Sequence, residues 1–256
     1  MKIHFIGTGS AKASRNNYHT SLLISSDKYN LLIDTGDGIS RALLQSSIDF
    51  NSIDGILLTH LHPDHFSGLA SLLVQMKLCE RKNPLTIFIH LELRRQVEDF
   101  IYQSYLFYER MNFKIIYKTF IQDDRIEVAE NFAFISRKNS HLDQYEQHDI
   151  EHKLSFYSGS FLFICEGANI FITGDVGGEK DLLLFNDHLI NILISEVTHL
   201  NFQSLVEFKS NHKSTKIFLV HLDEMNRESL GLIIKSLNEE IIRDFTIADE
   251  GLIVSN

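Results

Sequence analysis

Thr59-His60-Leu61-His62-Pro63-Asp64-His65-Phe66-Ser67-Gly68 places three histidines and one aspartate within the six positions from His60 to His65. The apolar run Gly55-Ile56-Leu57-Leu58 before it reads as a buried strand, and Leu69-Ala70-Ser71-Leu72-Leu73-Val74 after it has a helical pattern. The cluster therefore falls on a loop at a strand end. Pro63 biases His62 toward extended dihedrals and suits a first helical position, so the backbone should stay extended through His62 and turn afterwards. In the extended part His60 and His62 point to the same side, while Asp64 and His65 come from a second direction. One loop can thus give two ligands to one metal ion and two to a neighbour about 3.5–4 Å away. A lone histidine at a strand end is usually hydrogen-bonded or solvent-facing, and among 13 histidines some lie close by chance. Four ligand types packed between a strand and a helix do not fit that bland account.

The His-x-His-x-Asp-His pattern at His60, His62, Asp64 and His65 resembles the signature of the metallo-β-lactamase superfamily, and the likeness runs over essentially the whole chain. It implies an α/β fold, the four-layer αββα sandwich of that superfamily. The opening Phe5-Ile6-Gly7-Thr8-Gly9-Ser10-Ala11 with Arg15-Asn16 resembles the start of ribonuclease Z and its relatives, although Ala13-Ser14 stand where those proteins usually carry a proline. Without a helical pattern or a Gly-x-x-Gly continuation behind it, the same glycine turn does not support a dinucleotide fold.

Composition agrees with an ordinary soluble protein: 44% hydrophobic and 23% charged over 256 residues. No Pro/Gly/Ser-rich linker divides the chain, so residues 1–256 are read as a single metallo-β-lactamase-like hydrolase domain. The apolar run at Met1–Gly7 is too short for a signal peptide, and no stretch reaches the length of a membrane span. Cys79, in a helical pattern, and Cys165, in a strand pattern, lie far apart and suit a reducing cytoplasm. A net charge of −10 disfavours a broad nucleic-acid-binding surface but not a small phosphorylated substrate held by metal ions.

Taken in order, Lys2–Gly7 reads as a strand, and 20–24 with 29–33 as a hairpin turning at Ser26-Asp27-Lys28. Helices are expected over 69–81 and 91–109, with a strand at 85–89 between them. Tyr102, Tyr105, Phe107 and Tyr108 crowd the end of the second helix, where an aromatic stripe is more often core or dimer contact than a stacking platform. Strands follow at 113–117, 126–129, 132–136, 154–165, 169–173, 191–194 and 216–220, then a helix at 226–240 and short closing strands in 244–255. Leu31–Gly38 and Asn169–Gly178 echo each other: an apolar strand, an aspartate, then glycines. Two similar βα halves fit this echo.

The third ligand of the first metal should come from a strand end, and His141 is the first histidine after one. It also resembles the superfamily's third motif, with His148 and His152 as competitors. By the same resemblance Asp175 is the bridging carboxylate, His221 the last ligand, and Asp34 a supporting residue that hydrogen-bonds the histidine loop. A plain turn aspartate is the alternative for Asp34 and for Asp175. The resemblance thus assembles His60, His62 and His141 on one ion and Asp64, His65 and His221 on the other, with Asp175 between them. Histidine and carboxylate ligands without thiolates suit two divalent ions, zinc first, with manganese or iron open.

Ser195-Glu196-Val197-Thr198-His199 matches a ribonuclease Z motif whose histidine helps protonate the leaving oxygen, but Ser195 stands in that histidine's slot. His199 could substitute, or be structural; His199, Glu196 and Asp64 form the catalytic set. The implied chemistry is hydrolysis. A small phosphodiester such as a cyclic nucleotide, or short RNA, is the expected substrate. tRNA 3′-processing is the alternative, weakened by the acidic balance, the missing histidine and the short interval from His141 to Asp175, where a tRNA-clamping arm would sit. Lactone or thioester hydrolysis and a non-catalytic metal-binding role stay open, and a homodimer is expected by resemblance.

Overall fold

The computed structural model describes residues 1–236 and 243–255. Two compact units make up the chain: Met1–Ile121 with Glu250–Asn256, and Gln122–Asp249.

In the first unit, β1 (Lys2–Gly7), β2 (Ser21–Ser25) and β3 (Asn30–Ile33) form an antiparallel meander. The expected hairpin is present, with Leu22 opposite Ile33 and Ile24 opposite Leu31. After α1 (Ile39–Gln45), the strands β4 (Gly55–Leu57), β5 (Leu85–His90) and β6 (Ile115–Phe120) extend the sheet in parallel from β3. The short α2 (Pro63–Phe66), then α3 (Leu69–Leu78), link β4 to β5, and α4 (Arg94–Gln103) leads to β6. Every residue of β4 is buried, and all but one of β3 and of β5, the pattern of strands covered on both faces. α3 buries Leu69, Leu72, Leu73 and Met76, one stripe at helical spacing.

Two helices end earlier than the sequence pattern indicates. α3 stops at Leu78 because Glu80 takes a left-handed φ of 55° and Cys79 becomes the capping residue. Arg81 then turns inward, 2% exposed, and its guanidinium donates to the carbonyls of Asn83 and Pro84 at 2.8 and 2.9 Å. Over 91–109 there is no single helix. A 3₁₀ turn at Leu91–Leu93 precedes α4, which closes where Ser104 Oγ donates to the Phe100 carbonyl at 2.7 Å and Tyr105 adopts a φ of 59°. The aromatic residues around this end are not core, since Tyr102, Tyr105 and Tyr108 are exposed.

The second unit repeats the plan. β7 (Arg125–Ala129), β8 (Phe132–Lys138), β9 (Gly159–Cys165) and β10 (Ala168–Ile172) pair antiparallel, and β11 (Ile192–Glu196), β12 (Lys216–Val220) and β13 (Phe245–Ile247) continue in parallel. β9 starts later than its apolar pattern suggests, because residues 154–158 lie outside the sheet and Leu154 is exposed. α5 (Phe202–Asn211), which no sequence signal singled out, packs Leu205 and Phe208 onto Leu193, Ile217 and Leu219. α6 (Glu224–Lys235) begins where Asp223 accepts from the Asn226 amide at 2.8 Å. Residues 237–240 of the helix expected there lie outside the described residues. β14 (Ile253–Ser255) returns to the first unit, antiparallel to β1.

Each sheet changes from antiparallel to parallel pairing at the strand that runs into an echoed aspartate, β3 before Asp34 and β10 before Asp175. In open α/β sheets, binding loops gather at the carboxyl ends of strands next to such a switch. Asp34 and the histidine loop follow β3 and β4; Asp175, Glu196 and His221 follow or end β10, β11 and β12.

Candidate metal centre

In the first unit the chain leaves β4, stays extended at His62 (φ −66°, ψ 147°), and enters α2 with Pro63 at its first turn, as the sequence requires. The ligand atoms of His60 and His62 lie within 4.8 Å of each other, as do those of Asp64 and His65. Asp34, buried and left-handed at φ 62°, holds this loop at three atoms. It accepts from the Thr59 amide at 2.8 Å, Thr59 Oγ1 at 2.8 Å and His65 Nδ1 at 2.7 Å. Burial pushes its carboxyl above the usual range, and the His65 and Thr59 donors pull the other way. Gly36 allows the two loops to lie against each other, since a Cβ there would stand 1.8 Å from the Asp64 carbonyl oxygen.

In the second unit, three strand ends bring His141, Asp175 and His221 together. Asp175 Oδ2 is 3.3 Å from His221 Nε2 and 3.7 Å from His141 Nε2. His148 and His152 are exposed, whereas His141 is buried.

The hydrogen bonds at the far side of these rings fix which nitrogen is protonated. His65 Nδ1 donates to Asp34, and His60 Nδ1 to Thr59 Oγ1 at 3.0 Å, the Thr59 hydroxyl proton being committed to Asp34. His141 Nδ1 donates to the Val176 carbonyl at 3.3 Å. His221 Nδ1 donates to Thr198 Oγ1 at 3.3 Å, and that hydroxyl donates in turn to the His221 carbonyl at 2.5 Å. In all four histidines the Nε2 atom is thereby left as the lone-pair nitrogen, the state a metal ligand needs. With the carboxylates of Asp64 and Asp175, these are the nitrogen and oxygen donor types that suit a divalent cation.

A sequence model for the family described as Anti-Pycsar protein Apyc1 matches residues 1–236. The chain belongs to this family. Ribonuclease Z from Saccharolobus islandicus (strain L.S.2.15 / Lassen #1) is 33% identical over 131 residues, 50% of this chain and 43% of that protein, so less than half of the relative is matched. Among solved structures, the metallo-β-lactamase fold protein YhfI from Bacillus subtilis superposes with a TM-score of 0.75 at 18% identity, covering 99% of this chain and 98% of that one. Human tRNase Z, short form, gives a TM-score of 0.72 at 20% identity, covering 100% and 99%. The metallo-β-lactamase fold and the ribonuclease Z kinship read from the sequence are therefore those of the Apyc1-family chain. Among the described residues no helix is long and apolar enough to cross a membrane.

Glu196 of this family member is 1% exposed and has both oxygens engaged. Oε2 accepts from the amides of Thr198 and His199 at 2.5 and 3.0 Å, and Oε1 from His199 Nδ1 at 3.0 Å and the Val176 amide at 3.3 Å. His199 is thus held through Nδ1, its ring centroid 4.9 Å from that of His141. Ser195 donates its hydroxyl to the Glu196 carbonyl at 2.8 Å and is fully buried, so it does not stand in for the histidine of that slot. Sequence reasoning missed Asn139, whose Oδ1 accepts from the His141 amide at 3.2 Å and whose amide donates to Ser160 and Thr173. An asparagine two positions before a candidate ligand is a local turn signal that could have been read.

Proposed function

We propose that this Apyc1-family chain is a dinuclear metal-dependent hydrolase, working as one domain over residues 1–256, that cleaves a small phosphodiester such as a cyclic nucleotide, or short RNA. The observation that carries this is the shared state of His60, His65, His141 and His221, each hydrogen-bonded at Nδ1 so that Nε2 is the ligand atom. In this assignment His60, His62 and His141 would hold one ion and Asp64, His65 and His221 the other, with Asp175 available to both. Zinc suits the donors best, manganese or iron next. When bound, the ions supply Lewis acidity toward a phosphoryl oxygen and lower the pKa of water. His199 delivers a proton from Nε2 to the leaving oxygen, and Glu196 holds its ring for that transfer. Asp64 and Asp175 bring negative charge that offsets part of the ions' own. We place the protein in the cytoplasm as a homodimer, consistent with two free cysteines; light scattering on purified protein tests the dimer.

The ribonuclease Z similarity favours a second reading, tRNA 3′-processing. Against it stand the charge of −10 and the interval from His141 to Asp175, filled by a 3₁₀ turn at Asp143–His148, β9 and β10. The deciding assay offers metal-loaded protein bis-p-nitrophenyl phosphate, a 3′,5′-cyclic nucleotide and a 3′-extended tRNA precursor, with a chelator control. Chelator-sensitive cleavage of the first two alone is the expected result. Efficient cutting of the precursor moves the assignment to tRNA processing, and silence on all three removes the phosphodiesterase. A His199→Ala arm should lose about 100-fold in turnover; an unchanged rate removes its role as the acid.

A further inference from the structure

Asp181 lies outside every motif, in a 3₁₀ turn at Glu179–Leu183, yet it is only 6% exposed. Its carboxylate accepts from the Ser140 amide at 3.2–3.3 Å, from Ser140 Oγ at 2.9 Å and from the Gly177 amide at 2.8 Å. Ser140 immediately precedes His141, and Gly177 follows Asp175 by two residues. One buried carboxylate therefore ties together two loops that each carry a candidate ligand. The approach is close: a Cβ on Gly177 would stand 2.4 Å from Ser140 Oγ and 2.5 Å from the Ser140 carbonyl oxygen. Next to this contact His141 Nδ1 donates to the Val176 carbonyl, between Asp175 and Gly177, so the spacing of the two loops also sets where the His141 ring points.

We infer that Asp181 is a positioning residue for metal binding, fixing the 3.7 Å separation of His141 Nε2 and Asp175 Oδ2 without being a ligand itself. This rests on the dinuclear assignment above. Asp181 differs from Asp34, which grips a ligand imidazole directly, in acting through two backbone amides and one hydroxyl. It sets where the ligands stand rather than how basic they are. An asparagine in its place keeps a single acceptor oxygen, removes the negative charge that the three donors face, and turns its NH₂ group toward the Ser140 amide, itself a donor. Gly177→Ala perturbs the same spacing from the other side, leaving the carboxylate intact.

The test titrates Zn²⁺ into metal-free wild type, Asp181→Asn and Gly177→Ala against a chromophoric chelator. Visible spectra of the Co²⁺-loaded forms and thermal melts accompany the titrations. Wild type should bind zinc, and both variants should fold and lose about 10- to 100-fold in affinity with an altered Co²⁺ spectrum. Wild-type affinity and spectrum in a folded Asp181→Asn would overturn the assignment of Asp181 while leaving the dinuclear site standing. If Asp181→Asn fails to fold, a folded Gly177→Ala with unchanged affinity and spectrum overturns it equally. Wild type that takes up no zinc removes the metal assignment itself and the role of Asp181 with it, an outcome visible in the first arm alone.

Discussion

The two units bring their candidate ligands together by opposite means. In the first, His60, His62, Asp64 and His65 sit on one loop behind one strand, and a single aspartate clasps that loop at three atoms. In the second, His141, Asp175 and His221 come from three strand ends, and their arrangement depends on strand register and on hydrogen bonds accepted by Asn139, Asp181 and Thr198. A compact loop carries its geometry in local sequence; a dispersed set inherits its geometry from the sheet. The first unit should therefore tolerate distant changes that the second does not.

The largest expected effect comes from removing the Asp175 carboxylate, which lies 3.3 Å from His221 Nε2 and 3.7 Å from His141 Nε2. Asp175→Ala should bring phosphodiester turnover below detection while the protein still folds. The backbone of its loop keeps the bonds from Gly177 to Asp181 and from Ser158 Oγ to the Asp175 carbonyl. Turnover assays and a thermal melt on the same preparation check this. Near-wild-type turnover would remove Asp175 from the site and leave the second unit with two histidines.

The contrast between the units also governs what could be read from sequence. The His60–His65 loop was legible because strand, loop, Pro63 and helix all speak within about ten residues. Asp175 and His221 carried no such local message and were assigned by resemblance, as was His141 in part. Asp181 stayed invisible, its partners lying 41 and 4 positions away in the chain. The misread helix over 91–109 has the same cause. Its apolar and aromatic spacing continues through Tyr105, but a left-handed residue there and the Ser104 hydroxyl on the Phe100 carbonyl end it, which composition does not disclose.

A smaller effect tests whether direct contact with a ligand matters. Asp34→Asn turns an amide NH₂ toward the Thr59 or His65 donors and leaves at least one buried donor unsatisfied, at a cost of about 1–3 kcal/mol. Loss of the carboxylate partner of His65 Nδ1 should also weaken metal binding by about 10- to 100-fold. Urea unfolding and chelator competition measure the two. If Asp181→Asn proves more damaging to stability than Asp34→Asn, then the clasp on a ligand ring is not what distinguishes the first unit.

The smallest effect is the one that most sharply tests the choice of ligand in the second unit. His148 and His152 both lie on the loop after His141, and spacing alone left either able to compete with it. In the fold both are exposed, His148 at the end of a 3₁₀ turn and His152 in a left-handed conformation at φ 50°. His148→Ala and His152→Asn remove each imidazole without asking the backbone for a new conformation, since asparagine accepts positive φ readily. Neither should change zinc stoichiometry, turnover or melting temperature, because exposed side chains without specific contacts contribute little. His141→Ala run beside them should lose one ion. Should His152→Asn lose the ion and His141→Ala keep it, the loop must rearrange when metal binds, and the three strand ends would no longer account for how the second unit gathers its ligands.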